Sequence, residues 1–568
     1  MGGDALGSRL AAAAGEAASW HEVASRLRED LETADCDELR WLIWAFEYAL
    51  ESLHRVASSE GPFEPMLGFN DGSFYPPALD AVAEAVLVVW VEAADKDGPV
   101  VASRLHDLLW ERRAGDKPHL HARAAWRAYM ELTGGTWESI YRAASVMRAL
   151  QLARSLNDAG LLAEAVRGAV SFVREALGVE GATPGGPLRT LGALVDLPRG
   201  SRPEELTDLL GLAENIFGHD ARLYESVAQM RMEMASNDED RERLRMDLVD
   251  RWLETANGDK GLGQFAHLRH ALELAEAYGL TDQAREIRRL IQDGPPADDE
   301  FQEVSVELKI PRAELDDYVT RLVADDGWQA ALTRLGGMPP PSGDYAANLA
   351  RVAQQKAEHP LLFLVTKVIY GPHGFPVQVV KDDALHELVA LSEQERYGME
   401  LAGLIIGRVL DEIKERHGVP PAEELTTFFT SAFIPAGTAE RVAASLLHYW
   451  EDRLDECVHV LCPRIEATLR TGLMKVGMTI ISLPSGERPG GVRVLGELLR
   501  EALELDVMRD ASRTRYLYNL LCDPYGMNLR NSIAHGFLTK ARGGDAALLI
   551  QAICFLRLLD VAPRHAEG

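Results

Sequence analysis

Near the C-terminus, an arginine, an asparagine and a histidine fall within six residues. They are Arg530, Asn531 and His535, in the string Asn528-Leu529-Arg530-Asn531-Ser532-Ile533-Ala534-His535-Gly536. An arginine is permanently charged, and its planar fork matches phosphate oxygens. A histidine gains or loses a proton near neutral pH. An asparagine beside them can orient the imidazole and select its tautomer. Together these groups suit work on a phosphate ester. In RNA, a base near the 2′-OH and a cation on the phosphate are enough to cut the strand, and that route needs no metal.

The flanking residues predict how the three are held. The turn Asp523-Pro524-Tyr525-Gly526-Met527 breaks any preceding helix. Asn528 suits an N-cap whose side chain accepts from a first-turn N–H. A short helix over 529–535 follows, and Gly536 suits its stop. On that helix Asn531 and His535 share a face. Arg530 and His535 stand about 140° apart around the axis, a gap a long guanidinium can cross. Leu529, Ile533 and Ala534 are left to face the core. The free N–H groups at the start of the helix favour an anion. Upstream, Pro463 at a first turn predicts the start of a helix carrying Arg464, Glu466 and Arg470. Glu466 and Arg470 are four apart. They are read either as an ion pair worth about 0.2–0.5 kcal/mol if exposed, or as groups facing the motif helix to position substrate or histidine.

Arg530-Asn531-Ser532-Ile533-Ala534-His535 resembles the R-N-x-x-x-H motif of the HEPN (higher eukaryotes and prokaryotes nucleotide-binding) superfamily. The longer string Asn-Leu-Arg-Asn-x-x-Ala-His-Gly resembles one bacterial family of HEPN-like proteins. The stretches Cys462-Pro463-Arg464-Ile465-Glu466-Ala467-Thr468-Leu469-Arg470 and Leu495-Gly496-Glu497-Leu498-Leu499 fit that family too. The resemblance covers roughly the last hundred residues. It implies a small helical bundle and a metal-independent ribonuclease, with a composite site at a homodimer interface. It assigns catalysis to Arg530, Asn531 and His535, with Glu466, Arg470, Arg464 and Asn528 as substrate-binding residues and no metal or cofactor. It also implies RNA as the partner and a bacterial toxin or phage-defence setting. The alternative is a non-catalytic HEPN-like scaffold whose helical array binds a protein or nucleotide partner.

Composition narrows the rest. Lys+Arg 59 against Asp+Glu 88 gives a net charge of −29, which argues against a general nucleic-acid coat or an anionic-membrane binder. Residues 511–565 nevertheless carry seven Lys/Arg against three acids, a contrast that fits a local anion site. Five cysteines without a C-x-x-C pair suit a reducing cytoplasm and no zinc site. The N-terminus has no basic stretch leading into an apolar run, and no apolar run is long enough to span a bilayer. A soluble, cytoplasmic protein is expected.

The expected fold is mainly α. Residues 1–178 read as an N-terminal helical array, solenoid-like or bundled, available for a protein partner. The apolar spacing predicts a helix over 38–56 and a central one over 77–95, apolar nearly all round. His119-Leu120-His121 reads as a solvated helix start rather than a metal pair. Residues 178–203, rich in proline and glycine, read as a loop or linker opening a second helical segment, 179–293. Gly294-Pro295-Pro296 marks the clearest boundary. A mostly helical middle region, 300–440, is expected to begin with an edge strand over 304–310. It also holds a loop over 371–376 with His373 at its tip. Residues 361–369 fit either a strand or a buried helix. The HEPN-like domain, 441–568, adds a small hairpin around an exposed loop over 485–488 and a final amphipathic helix.

Overall fold

In a computed structural model, the chain is mainly helical, with four two-stranded antiparallel ribbons among the described residues. The structure describes residues 3–15, 17–31, 36–50, 62–69, 72–95, 98–294, 311–370, 376–484 and 489–559. The expected strand over 304–310, His373 and the loop 485–488 therefore lie outside the described residues. The chain divides into two compact units, Met1–Gly294 and Pro295–Gly568. No helix among the described residues is long and apolar enough to cross a membrane.

In the first unit, successive helices pack each on the next: Gly98–Glu111, Pro118–Thr133, Ser139–Ser155 and Ala159–Leu177. The turn before the last is fixed by Asp158, whose carboxylate accepts from the Gly160 and Leu161 N–H groups. One apolar core runs from Leu10 to Met230, and a second joins the helices between Ala221 and Ile287. Three expectations are corrected here. The helix predicted over 38–56 stops at Glu47, because Ala49–Leu50 pairs as a strand with Phe63–Glu64. The segment 77–95 is not a central helix. Its helix is Glu84–Ala94, which buries Val86, Leu87 and Trp90 but leaves Val88 and Val91 exposed. The supposed linker 178–203 contains the helix Gly185–Val195, whose Leu191, Leu194 and Val195 are buried in the main core.

The first unit also buries polar groups. Arg148 donates to both Asp107 oxygens at 2.8 Å, and the Tyr129 hydroxyl donates to the same carboxylate at 2.9 Å. His121, predicted to be solvated, is instead half-buried and meets His106, Nδ1 to Nδ1, at 2.9 Å. His106 Nε2 meets Asp95 Oδ1 at 3.1 Å. Two nitrogens that face one another share one proton, so at most one of these rings is charged. Burial pushes the His106 ring below its ordinary value, against the pull of Asp95. Burial, then the His106 ring, pushes His121 down as well.

A histidine held neutral by folding binds fewer protons than in the unfolded chain. Its contribution is therefore complete above the unfolded value of about 6.5 and is lost as the pH falls toward the depressed folded values. The melting temperature of the wild type should thus drop more between about pH 7 and about pH 5 than that of His121→Asn. Calorimetry at the two pH values measures this, and parallel drops would refute it.

The second unit is built around the helix Gly543–Leu558. Residues 546–556 are each at most 4% exposed, so this helix is buried on all sides rather than amphipathic as expected. Against it pack Trp328–Gly337, Asp383–His417, Ala436–Trp450 and Leu454–Lys475. The approach of Trp328–Gly337 requires glycine at 336, where a Cβ would lie 2.5 Å from the Cys554 carbonyl oxygen. Residues 361–369 combine the one-turn helix Leu361–Leu364 with the strand Lys367–Tyr370, which pairs with Pro376–Val380. They are not a buried helix, since Leu361 and Leu364 are exposed. The hairpin joins Ile481–Ser482 to Gly491–Val492.

Candidate functional site

The helix Ala511–Leu521 begins at Asp510, whose carboxylate accepts from the Arg513 N–H. It carries Arg515 and Asn519 four residues apart, on one face. Both point into a buried polar network with Asp523 and, from the helix Asp383–His417, Ser392 and Glu395. Arg515 Nε donates to Glu395 Oε2 at 2.7 Å, and its Nη2 lies 2.9 Å from Asp523 Oδ2 and 2.8 Å from Ser392 Oγ. Asn519 donates to Glu395 Oε2 at 3.0 Å and to the Ser392 carbonyl at 3.1 Å. Burial pushes the Glu395 carboxyl above its ordinary value despite Arg515.

This network shapes the turn ahead of the motif. Asp523 Oδ1 accepts from the Tyr525 N–H at 3.0 Å. The Asn519 backbone and side-chain oxygens accept from Met527 N–H, and the backbone oxygen also accepts from Asn528 N–H. Gly526 lies directly against Asn519. A Cβ there would sit 2.2 Å from Asn519 Oδ1, so no other residue fits the turn undistorted.

The motif helix that follows is Leu529–Ala534, six residues long. Its start departs from expectation. Asn528 adopts a left-handed conformation, φ 50°, and its side chain caps no N–H. Asn528 Oδ1 instead accepts from Asn531 Nδ2 at 2.7 Å, while Asn531 Oδ1 accepts from Arg530 Nη1 at 2.9 Å. Leu529 is buried and Ile533 half-buried against the core, but Ala534 is exposed, not core-facing.

Arg530 is tied to the neighbouring helix, Leu454–Lys475. Its Nε donates to Glu466 Oε2 at 3.0 Å, and its Nη2 reaches Glu466 Oε1 at 3.5 Å. Arg470 donates to the same carboxylate through Nη2 at 2.7 Å and to the Arg493 carbonyl through Nη1 at 2.7 Å. Burial raises the Glu466 carboxyl, but hydrogen bonds from Arg530 and Arg470 outweigh it and hold the group below its ordinary value. The same bond raises the Arg530 guanidinium. Behind the cluster, burial pushes the Cys462 and Cys522 thiols up to about 12, so neither is a nucleophile at neutral pH. Pro463 does not start this helix as predicted. It lies in the interior, on the exposed side, and the helix begins at Leu454.

The structure therefore joins Arg530, Asn531, Asn528, Glu466 and Arg470 in one hydrogen-bonded chain. The side chains of two predicted residues stand outside it. Arg464 is half-buried, and its Nε has no hydrogen-bond partner. His535 lies just past the end of the helix, exposed, with its ring 5.9 Å from that of Phe537. Asn531 bonds to Arg530 and Asn528 rather than to the imidazole, contrary to the expectation that it orients His535. Among the described residues, three of the basic groups over 511–565 are not free to form an open basic face. Arg515 is buried between carboxylates, Arg530 is paired with Glu466 and Arg542 with Asp545.

The roles of Arg515, Asn519 and Asp523 escaped the sequence reading, although a signal was present: Arg515 and Asn519 share one helix face, and Asp523 follows four residues on, just past the helix end. Among the described residues, no group of three or more His, Cys, Asp or Glu is placed to hold a metal.

Residues 4–165, within the first unit, match the family model described as a domain of unknown function, DUF7380. No curated protein and no solved structure matches the chain.

Proposed function

We propose that the protein is a metal-independent endoribonuclease of the HEPN type, acting in the cytoplasm as a toxin or phage-defence effector. The observation that carries this reading is the arrangement at Leu529–Ala534. A half-exposed guanidinium held in a polar cluster lies on one short helix, and an exposed imidazole stands at the residue that ends it. In the reaction, the 2′-oxygen of the substrate attacks the adjacent phosphorus and the 5′-oxygen leaves. His535 takes the proton from the 2′-OH or gives one to the leaving oxygen. Arg530 stabilises the charge that builds on the phosphate. Asn531 holds the guanidinium in place, a role that its bond to Arg530 supports better than orientation of the histidine. Two chains pair so that two motif helices line one cleft, because a two-fold axis brings identical patches together.

The test is incubation of the purified chain with structured RNA in excess chelator. Intact RNA at the end would defeat the proposal. A second reading is favoured by one specific observation, that Glu466 already fills the Arg530 fork. On that reading the cluster is structural, and the protein is a HEPN-like scaffold whose helical array binds a protein or nucleotide partner. Variants at position 535 that cut as well as the wild type would favour it.

A further inference from the structure

The carboxylate of Glu466 sits where an anion bound by Arg530 would sit, and two arginines share it. The two sides of this arrangement are unequal. Arg470 reaches Glu466 along its own helix through Nε at 3.2 Å and Nη2 at 2.7 Å, and its Nη1 is anchored on the Arg493 carbonyl. Arg530 comes from another element, with one bond to Glu466 at 3.0 Å and a second stretched to 3.5 Å, and its Nη1 is held by Asn531 Oδ1 at 2.9 Å, an anchor that keeps the fork in place when the carboxylate leaves. Its side chain is 28% exposed, against 18% for Glu466 and 17% for Arg470. With one carboxylate between two guanidinium groups, the cluster is net positive, so an incoming anion is attracted to it. Of the two arginines, Arg530 is the one that can change partner at low cost.

We propose that Glu466 is an internal competitor for the phosphodiester. Substrate binds by displacing the Glu466 carboxylate from Arg530, while Arg470 retains the carboxylate and holds it aside. The ribonuclease reading supplies only the identity of the anion. The resting site is then partly closed by its own side chain, and apparent affinity is reduced by the fraction of time the arginine is occupied.

The test uses a short 5′-labelled, 2′-O-methylated RNA, which cannot be cut because the attacking hydroxyl is blocked. Binding is read by fluorescence anisotropy in the wild type, Glu466→Gln, Glu466→Asp and the double variant Glu466→Gln/Arg530→Gln, with a melting curve for each. Glu466→Gln keeps the side-chain volume and removes the competing charge. It should bind roughly tenfold tighter, the scale of one freed charge-assisted hydrogen bond. Glu466→Asp, which keeps the charge but draws it back by one methylene, should gain less, and it serves as the test if the glutamine variant does not fold. The double variant should lose the gain.

Equal or weaker binding by folded Glu466→Gln or, where that variant does not fold, by Glu466→Asp overturns the proposal. So does absence of binding in every variant, or a gain that survives removal of Arg530. Because the probe resists cleavage, failure here is distinct from failure of the ribonuclease reading. A protein that cuts nothing but binds the probe more tightly without Glu466 loses the first reading and keeps this one.

Discussion

His535→Ala should lower RNA cleavage by about 10²–10⁴-fold while leaving the melting temperature almost unchanged. Both halves follow from where the residue stands. The ring is exposed just past the end of Leu529–Ala534, with Phe537 as its ring neighbour and no hydrogen bond to the rest of the cluster. Surface substitutions of that kind stay within about 0.5 kcal/mol of the parent stability. Loss of the imidazole therefore registers in chemistry and not in folding. Arg530→Ala is expected to behave differently. It removes the cation proposed to stabilise the transition state, and it also strips Glu466 of one partner and frees the Asn531 amide oxygen, so activity and stability should fall together. Cleavage rates beside melting curves for the two variants separate the roles. Undiminished cutting by His535→Ala, or a large loss of its stability, would contradict the assignment.

Arg515→Met should destabilise the second unit by about 3–5 kcal/mol. Arg515 is 3% exposed and stands between Glu395 and Asp523, which are each 1% exposed. Methionine fills much of the volume but leaves two carboxylates buried with no cation. One of them must take up a proton, so the penalty should shrink as the pH is lowered, opposite to ordinary acid destabilisation. The loss reaches the motif through the turn. Asp523 and Asn519 hold the backbone of Tyr525, Met527 and Asn528, and that backbone sets where the motif helix begins. Denaturant unfolding at about pH 7 and about pH 5 measures the penalty. A cost that is small, or that grows on acidification, would show that the network does not depend on its arginine.

The reach of the sequence differed from element to element. The mainly helical character was legible, and the spacing read over 38–56 does place Leu39, Leu42, Ile43 and Phe46 on the buried face of Asp37–Glu47, although the helix ends sooner than expected. Pro463 was misread because proline favours a first turn. On the exposed side of Leu454–Lys475 its missing N–H and bulky ring are tolerated in the interior. The segment 178–203 was misread because proline and glycine signal loops, whereas apolar Leu191 and Leu194 gain enough by burial to hold a helix there. Asn528 was assigned a capping role from its type alone. Its left-handed backbone, fixed by the Asn519 carbonyl, takes its side chain to Asn531 instead.

What the sequence determined by itself was local: helical periodicity, the identity of the cation, amide and imidazole in one short string, and the pairing of Glu466 with Arg470 four residues on. What only the tertiary structure decided was which partner each polar group took. Arg530 and Glu466 lie 64 residues apart along the chain, and Arg515 and Glu395 lie 120 apart. Hydrogen bonding and charge pairing act over a few ångströms and carry no memory of sequence distance. They are settled only once apolar burial has brought the helices together.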